Sequence, residues 1–297
     1  MLEIVKGYLK KREVKFKEDI PTRDLCTLKI GGLASIVAEP LDYNQLAEVV
    51  AFLESNKIEY KIVGRMSNIL PRDERYEGVI VRTVRLCDFS ALGHRISVGA
   101  GEMLPSLAHK LADTSLDGLC ELSGIPGTLG GAIACNAGAF GREIGELVES
   151  VLVYDRIDGG IVSLLQSELS FSYRKSVFSE GRFILLLATL NLCQGERTAL
   201  LKRITELKSK RLATQPTEPS AGSVFKRSGE HIPSMLIDKC GLKGRRVGGC
   251  VISEKHAGFI VNRESATAED FKCLAKIAED EVFSRYGVRL QREVEYL

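Results

Sequence analysis

The stretch Ser123–Gly141, SGIPGTLGGAIACNAGAFG, decides how this chain is read. It carries six glycines, one proline and small residues throughout, more than a helix or strand kept for packing alone would hold. Glycine lets backbone N–H groups approach a ligand closely and adopt positive φ. A diphosphate suits such a nest and needs no lysine. The spacing is neither G-x-x-x-x-G-K-[ST] nor G-x-G-x-x-G, so neither a P-loop nor a dinucleotide-binding turn is supported. Glycine density alone fits a tight structural loop equally well.

Outward from this loop, strand patterns recur at Ala34–Ala38, Tyr60–Val63, Val79–Val84, Arg95–Val98, Val151–Tyr154 and Ile184–Leu192. Between them lie helices with apolar stripes. Leu46, Val49, Val50 and Leu53 follow the i, i+3, i+4, i+7 spacing behind Asp42 or Asn44 as N-cap, and Leu104, Leu107, Ala108 and Leu111 repeat it. Alternating strands and helices give an α+β or α/β class. A charged helix at about 196–211 leads into TQPTEPSAGS, a domain junction by composition. A last helix opens at Thr267, with Asp270 completing an acidic capping box, and closes at Gly287. The closing VRLQREVEYL is strand-like.

Two further segments carry chemistry. Gly64-Arg65-Met66-Ser67-Asn68 follows the strand Tyr60–Val63 directly, as a second phosphate-binding turn would, with Arg65 as charge partner. Such a turn is also often only a loop. Pro219–Arg227, PSAGSVFKR, puts Ser223 beside glycine and two basic residues, where it can serve as a turn hydroxyl or donate a proton near an anion. No G-x-S-x-G marks it as a hydrolase nucleophile.

With 297 residues, 44% of them hydrophobic, the chain buries at least one full core and is long enough for two or three domains. Lys and Arg number 41 against 39 Asp and Glu. That near-balance argues against nucleic acid or anionic membrane as a partner, so phosphate binding must be local. No apolar run suits a signal peptide or membrane span. The eight scattered cysteines, without C-x-x-C, read as reduced, small buried residues of a cytosolic protein. Histidines 94, 109 and 231 form no ligand cluster, so no metal is expected.

These segments, in this order, resemble the UDP-N-acetylenolpyruvoylglucosamine reductase family of peptidoglycan precursor synthesis. The match runs from about Thr27 to Glu293. It includes TLKIGG, the Gly64–Asn68 turn, the Ser123–Gly141 loop, FSYRKS, PSAGSVFKR, LIDKCGLKGRRVGG, SEKHAGFIVN and LQREV. The short middle region is similar to the family's shorter subtype, which lacks an inserted substrate-covering loop.

The resemblance implies an α+β protein with a two-subdomain FAD-binding fold of the vanillyl-alcohol-oxidase-like type and a C-terminal α/β substrate domain. The expected division is an FAD-binding region over 1–195, split near 60–80, a connector over 196–218, and a substrate domain over 219–297. FAD is then held by Gly64, Arg65, Met66, Ser67 and Asn68 together with Ser123, Gly124, Ile125, Pro126, Gly127, Gly130, Gly131, Ala132, Asn136 and Gly138. By family position Arg174 stabilises the developing enolate, Glu293 positions and polarises it, and Ser223 donates the proton to C2. Tyr173, Arg211, Lys226, Arg227, Lys243 and His256 fall where the family contacts the UDP-sugar. NADPH is the implied co-substrate, with no nucleic-acid, membrane or obligatory protein partner. Rival readings are a flavin oxidase on the same fold and a catalytically silent UDP-sugar-binding paralogue.

This chain departs from the family where Arg65 and Met66 replace glycines of the first turn. It also has Ser228 where proline is common and Phe140 where tyrosine is frequent.

Overall fold

The stripe Leu46, Val49, Val50 and Leu53 is buried on the helix Tyr43–Ser55, whose first turn is closed by the Asp42 side chain accepting from the Gln45 N–H. That helix, with Leu2–Lys11, packs on a sheet ordered Lys15–Pro21, Leu33–Glu39, Tyr76–Arg82, Tyr60–Val63, the last two parallel. The computed structural model describes residues 2–227 and 229–297, so Ser228 lies outside the described residues.

The chain divides into two compact units. The first holds the residues up to Glu18, Ile36–Arg65 and Gly78–Lys210; the second holds Asp19–Ser35, Met66–Glu77 and Arg211–Leu297. Two early segments therefore fold with the C-terminal residues rather than with their neighbours in sequence, a discontinuity that a linear division at 195 and 219 does not contain. No composition shift marks it.

Two large hydrophobic cores sit within the first unit, beside a smaller cluster of Ala112, Cys120, Leu200 and Ile204. One joins Val5 and Leu9 of the first helix to Ile36, Val79 and Val81 of the sheet and to the buried stripe above. The other lies under a five-stranded antiparallel sheet ordered Gly160–Leu165, Val148–Asp155, Phe183–Asn191, Arg95–Gly99, Phe89–Leu92. Against that sheet pack the helices Leu104–Asp113 and Leu129–Ala134. Six residues of the glycine-rich stretch are thus helical, which glycine content alone does not announce. The reason is local: the Thr128 side chain accepts from the Gly131 N–H, while Leu129 and Ile133 are buried below.

In the second unit Ser220–Ser223, Phe259–Asn262, Cys250–Ile252 and Arg246–Val247 form an antiparallel sheet backed by the helix Ala268–Tyr286. The capping box of Thr267 and Asp270 and the left-handed Gly287 (φ 68°) bound that helix as the sequence predicts. The closing segment is not one strand. Gln291–Arg292 pairs with Phe225–Lys226, and Glu295–Tyr296 runs parallel to Ile69–Leu70, so the chain changes partners at Glu293–Val294. The cysteines also divide: Cys26, Cys120, Cys240 and Cys250 are buried, whereas Cys87, Cys193 and Cys273 are exposed, and all eight are free thiols.

Asp155 ties the larger sheet's hairpin together. Its carboxylate takes two hydrogen bonds at 3.0 and 2.5 Å from Arg182 Nε and Nη2, and it caps the turn through the Ile157 N–H at 2.9 Å. Arg182, and then the turn's N–H groups, hold the carboxyl near 2, below its ordinary 3.8. A depressed pKa contributes stability that is complete above the unfolded value and lost as pH falls through the folded one. Urea unfolding at pH 5, 4, 3 and 2.5 should therefore show a steep loss of stability below pH 4. That loss should shrink in Asp155→Asn, and an identical pH profile in both proteins would refute it.

Candidate active site

In the first unit the opening glycine of the Gly64 turn meets the glycine-rich loop. Gly64 ends the strand Tyr60–Val63 and lies against Thr128, the cap of the short helix: a Cβ on Gly64 would sit 2.3 Å from Thr128 Oγ1. Gly127 is buried with φ +125°, a backbone region that L-residues rarely enter. The N–H groups of Leu129, Gly130 and Gly131 are already used, by the carbonyls of Glu102 and Ala100 and by Thr128 Oγ1. Those of Gly124 and Gly127 have no protein partner among the described residues. Gly131 is exposed, and a Cβ there would meet only Thr128 Oγ1 at 3.6 Å. Gly64 is therefore kept by packing, whereas Gly131 has open space above it. The open space at Gly131 and the unused N–H groups of Gly124 and Gly127 are the features of this loop that suit an anionic ligand.

Other predicted cofactor residues frame the loop. Ala132 is buried, Ile125 is half-buried and Pro126 is exposed. Ser123 is buried and donates to the Cys120 carbonyl at 2.7 Å. Asn136 is buried, with its carboxamide committed inside the protein: Nδ2 donates to Glu143 Oε2 at 2.7 Å and to the Ser172 carbonyl at 3.0 Å, and Oδ1 accepts from the Gly145 N–H. Its side chain builds the loop's frame instead of facing a ligand.

The Ser172 carbonyl begins the tight turn that carries Tyr173 and Arg174, closed by reciprocal Ser172–Lys175 backbone hydrogen bonds of 3.0 and 3.1 Å. Arg174 has φ +53°, a conformation costing about 1–2 kcal/mol for a residue with a Cβ. Its guanidinium donates to the Gly138 carbonyl at 3.1 Å and the Asn136 carbonyl at 3.4 Å and lies over the Tyr173 ring. Ser176 Oγ fastens the turn's end to the Ala134 carbonyl at 2.6 Å. The predicted catalytic arginine is thus held, in a strained backbone, against the C-terminal part of the glycine loop.

Sequence reasoning missed Arg82, which pairs in register with Val63 beside the Gly64 turn. It forms a largely buried ion pair with Glu39 at 2.6 Å, and its Nε is buried without a partner among the described residues. Burial pushes its pKa down, and the Arg65 charge does so further. Arg65 itself is exposed. Two guanidinium groups therefore act on one another beside the turn.

In the second unit, Val224 gathers the other predicted catalytic residues. Its N–H donates to the Gly258 carbonyl at 2.9 Å and its carbonyl accepts from the Glu293 N–H at 2.8 Å. Ser223, the His256–Gly258 turn and Glu293 are thereby laid side by side. Ser223 is exposed, at the end of Ser220–Ser223 opposite Phe259. His256 is half-buried; the Gly258 N–H donates to its Nδ1 at 3.1 Å, so the neutral ring carries its proton on Nε2. Burial pushes its pKa below 6.5 despite a backbone hydrogen bond, with the Lys243 charge adding to the depression.

Among the predicted substrate cations, Lys226 and Arg227 lie three and four residues beyond Ser223, and Lys243 is ion-paired with Asp238 at 2.7 Å. Arg211 is half-buried, and burial alone pushes its pKa below the usual arginine value. Met66 is buried and takes φ +50°. It thus keeps a glycine-like course through the turn despite its Cβ. Ser67 and Asn68 continue that turn; the Ser67 carbonyl accepts from Thr27 Oγ1 at 3.4 Å, and the Asn68 side chain donates to the Glu293 carbonyl.

An FAD binding domain matches residues 34–164, and fold and loop define a flavin-dependent oxidoreductase of α+β class. The C-terminal domain of UDP-N-acetylenolpyruvoylglucosamine reductase matches residues 215–297. The reductase of Caldicellulosiruptor bescii is 39% identical over 98% of this chain and 93% of its own length. That of Clostridium botulinum (strain Okra / Type B1) is 36% identical over 93% of this chain and 90% of its own length. The crystal structure of the Thermus caldophilus enzyme superposes with a TM-score of 0.81 at 32% identity, covering 95% of this chain and 98% of that one. The chain belongs to the UDP-N-acetylenolpyruvoylglucosamine reductase family.

The contrast between the two glycines is testable. Gly64→Ala should lower Tm by several degrees, the clash being relieved in Gly64→Ala/Thr128→Ala. Gly131→Ala should leave Tm of the flavin-free protein within about 2 °C, because exposed surface changes cost little, yet weaken FAD binding at least tenfold. Differential scanning fluorimetry and a flavin-fluorescence titration decide it; equal FAD affinity in wild type and Gly131→Ala would remove Gly131 from the cofactor surface.

Proposed function

We propose that the protein catalyses the NADPH-dependent, FAD-mediated reduction of UDP-N-acetylglucosamine enolpyruvate to UDP-N-acetylmuramate, in the cytoplasm, as a step of peptidoglycan precursor synthesis. Val224 carries this assignment most directly, because its two backbone hydrogen bonds align Ser223, the His256 turn and Glu293. Among the described residues no helix is long and apolar enough to cross a membrane.

FAD, when bound, supplies a two-electron carrier that takes hydride from NADPH and delivers it to C3 of the enol ether. Gly124, Gly127 and the exposed backbone at Gly131 hold its diphosphate and flavin edge, with Arg65 and Arg82 supplying positive potential. Arg174 stabilises negative charge developing on the enolate and its carboxylate. Its guanidinium is preset by the Gly138 and Asn136 carbonyls, so little reorganisation is needed as charge develops. Ser223 Oγ–H donates the proton that C2 requires, and its exposure allows reprotonation from water. Glu293 positions and polarises the enolate.

Lys226, Arg227 and Arg211 hold the UDP diphosphate. An arginine whose only marked influence is burial gains most from an anionic ligand. Lys243 exchanges Asp238 for the substrate, and neutral His256 offers its Nε2–H. Tyr173 borders the sugar.

Stopped-flow absorbance of the two half-reactions tests this. NADPH should bleach the flavin at wild-type rate in Ser223→Ala and Glu293→Gln. Re-oxidation by the enolpyruvyl sugar should slow roughly 10²–10⁴-fold, the contribution of a positioned acid, and Ser223→Cys should regain part of the rate. Re-oxidation of Ser223→Ala as fast as wild type would remove Ser223 as donor, and oxygen consumption with an alcohol donor would favour an oxidase.

A further inference from the structure

We infer that Asn68 is a positioning residue for Glu293: its carboxamide fixes the register of the closing segment and so the face on which the glutamate stands. The inference rests on the reading above, in which Glu293 acts in the enol-ether half-reaction.

The closing segment is held by two strand pairs of two residues each, and it changes partners between them. Gln291–Arg292 pairs antiparallel with Phe225–Lys226, and Glu295–Tyr296 pairs parallel with Ile69–Leu70. Glu293 stands at the change. Its N–H reaches the Val224 carbonyl at 2.8 Å, on the side of the first partner. On the side of the second, the Asn68 carboxamide substitutes for a strand: Nδ2 donates to the Glu293 carbonyl at 3.0 Å. The Asn68 main-chain carbonyl then accepts from the Glu295 N–H at 3.0 Å. One residue thus grips the segment two positions apart, from 225 residues away in sequence.

Register decides the chemistry because successive side chains of an extended segment point to opposite faces. Arg292 is bonded at 2.5 Å to Glu279 on the helix Ala268–Tyr286, and Val294 is buried. Glu293, between them, is directed to the other face. A slip of one residue would exchange those faces and bury the carboxylate. Two-residue pairings resist such a slip weakly, and the carboxamide adds a bond at the residue whose orientation matters.

Asparagine suits this place: aspartate has no N–H to donate, and serine is shorter by the reach of the amide. As a member of a phosphate-binding turn, Asn68 would instead be expected to contact the cofactor, and the two roles predict opposite phenotypes.

Asn68→Ala removes the carboxamide but keeps the main-chain bond to Glu295. The expected result is unchanged FAD affinity and unchanged bleaching by NADPH, with re-oxidation by UDP-N-acetylglucosamine enolpyruvate slowed about tenfold, the scale of one hydrogen bond. Asn68→Gln should regain part of that rate. Asn68→Ala/Glu293→Gln should be no slower than Glu293→Gln alone, because the two changes remove one function. In the flavin-free protein, hydrogen–deuterium exchange of the 291–297 segment should rise in Asn68→Ala and fall back in Asn68→Gln. Loss of flavin or slowed bleaching with normal re-oxidation would overturn the inference and make Asn68 a cofactor contact. Normal re-oxidation in Asn68→Ala while Glu293→Gln is slow would overturn it alone. Wild-type re-oxidation in Glu293→Gln would instead overturn the role given to Glu293, and the exchange measurement would still decide whether Asn68 holds the segment.

Discussion

Buried irregular backbone must find hydrogen-bond partners, because an unpaired buried N–H or carbonyl costs about 1–3 kcal/mol. Strand ladders and helices do this for most of the chain, but several of the candidate site segments are turns and loops. Three asparagine carboxamides meet the demand. Asn136 joins the glycine loop to Glu143, Gly145 and the Ser172 turn. Asn68 joins its own turn to Glu293. Asn262 donates to the carbonyls of Leu28 and Lys29 and accepts from the Ala266 N–H. A short amide that both donates and accepts can bridge chains that no ladder joins. In the first unit the placement of Arg174 depends on such a bridge, and in the second the placement of Glu293 does.

Two residues of the candidate site segments also carry backbone strain. Arg174 and Met66, neither of them glycine or asparagine, hold left-handed backbone at φ +53° and +50°. Such conformations persist only where surrounding contacts over-determine them. Around Arg174 those contacts are the reciprocal Ser172–Lys175 bonds, the Asn136 amide and the Ser176 hydroxyl. Around Met66 the burial of a long apolar side chain offsets the backbone cost, which lets this chain do without the family's glycine.

Charge is distributed with similar economy. The chain is close to neutral, so any local positive potential comes from a few cations in particular surroundings. Arg211 is half-buried, Arg82 keeps Glu39 but has an Nε without a partner among the described residues, and Lys243 already has Asp238. These three differ in how fully their charge is already compensated, although sequence presents each simply as a basic residue.

Periodic and local features were legible without coordinates. The stripe of Leu46, Val49, Val50 and Leu53, the capping box at Thr267 and Asp270, and the left-handed glycine at 287 each involve residues within a few positions of one another. Their physics is complete inside one turn of helix. Glycine density likewise marked the 123–141 loop, and ordered motifs marked the family. Sequence did not reveal that Asn136 faces inward, that Arg82 stands beside the Gly64 turn, or that segments 19–35 and 66–77 fold with the C-terminal residues. Nor did it reveal that VRLQREVEYL changes partners at Glu293. Each of those depends on groups that the fold brings together, up to 225 residues apart in sequence, and a side chain's chemistry says that it can donate a hydrogen bond without saying to whom. Folding chooses the partner, by bringing one particular unpaired carbonyl within 3.0 Å of one particular amide.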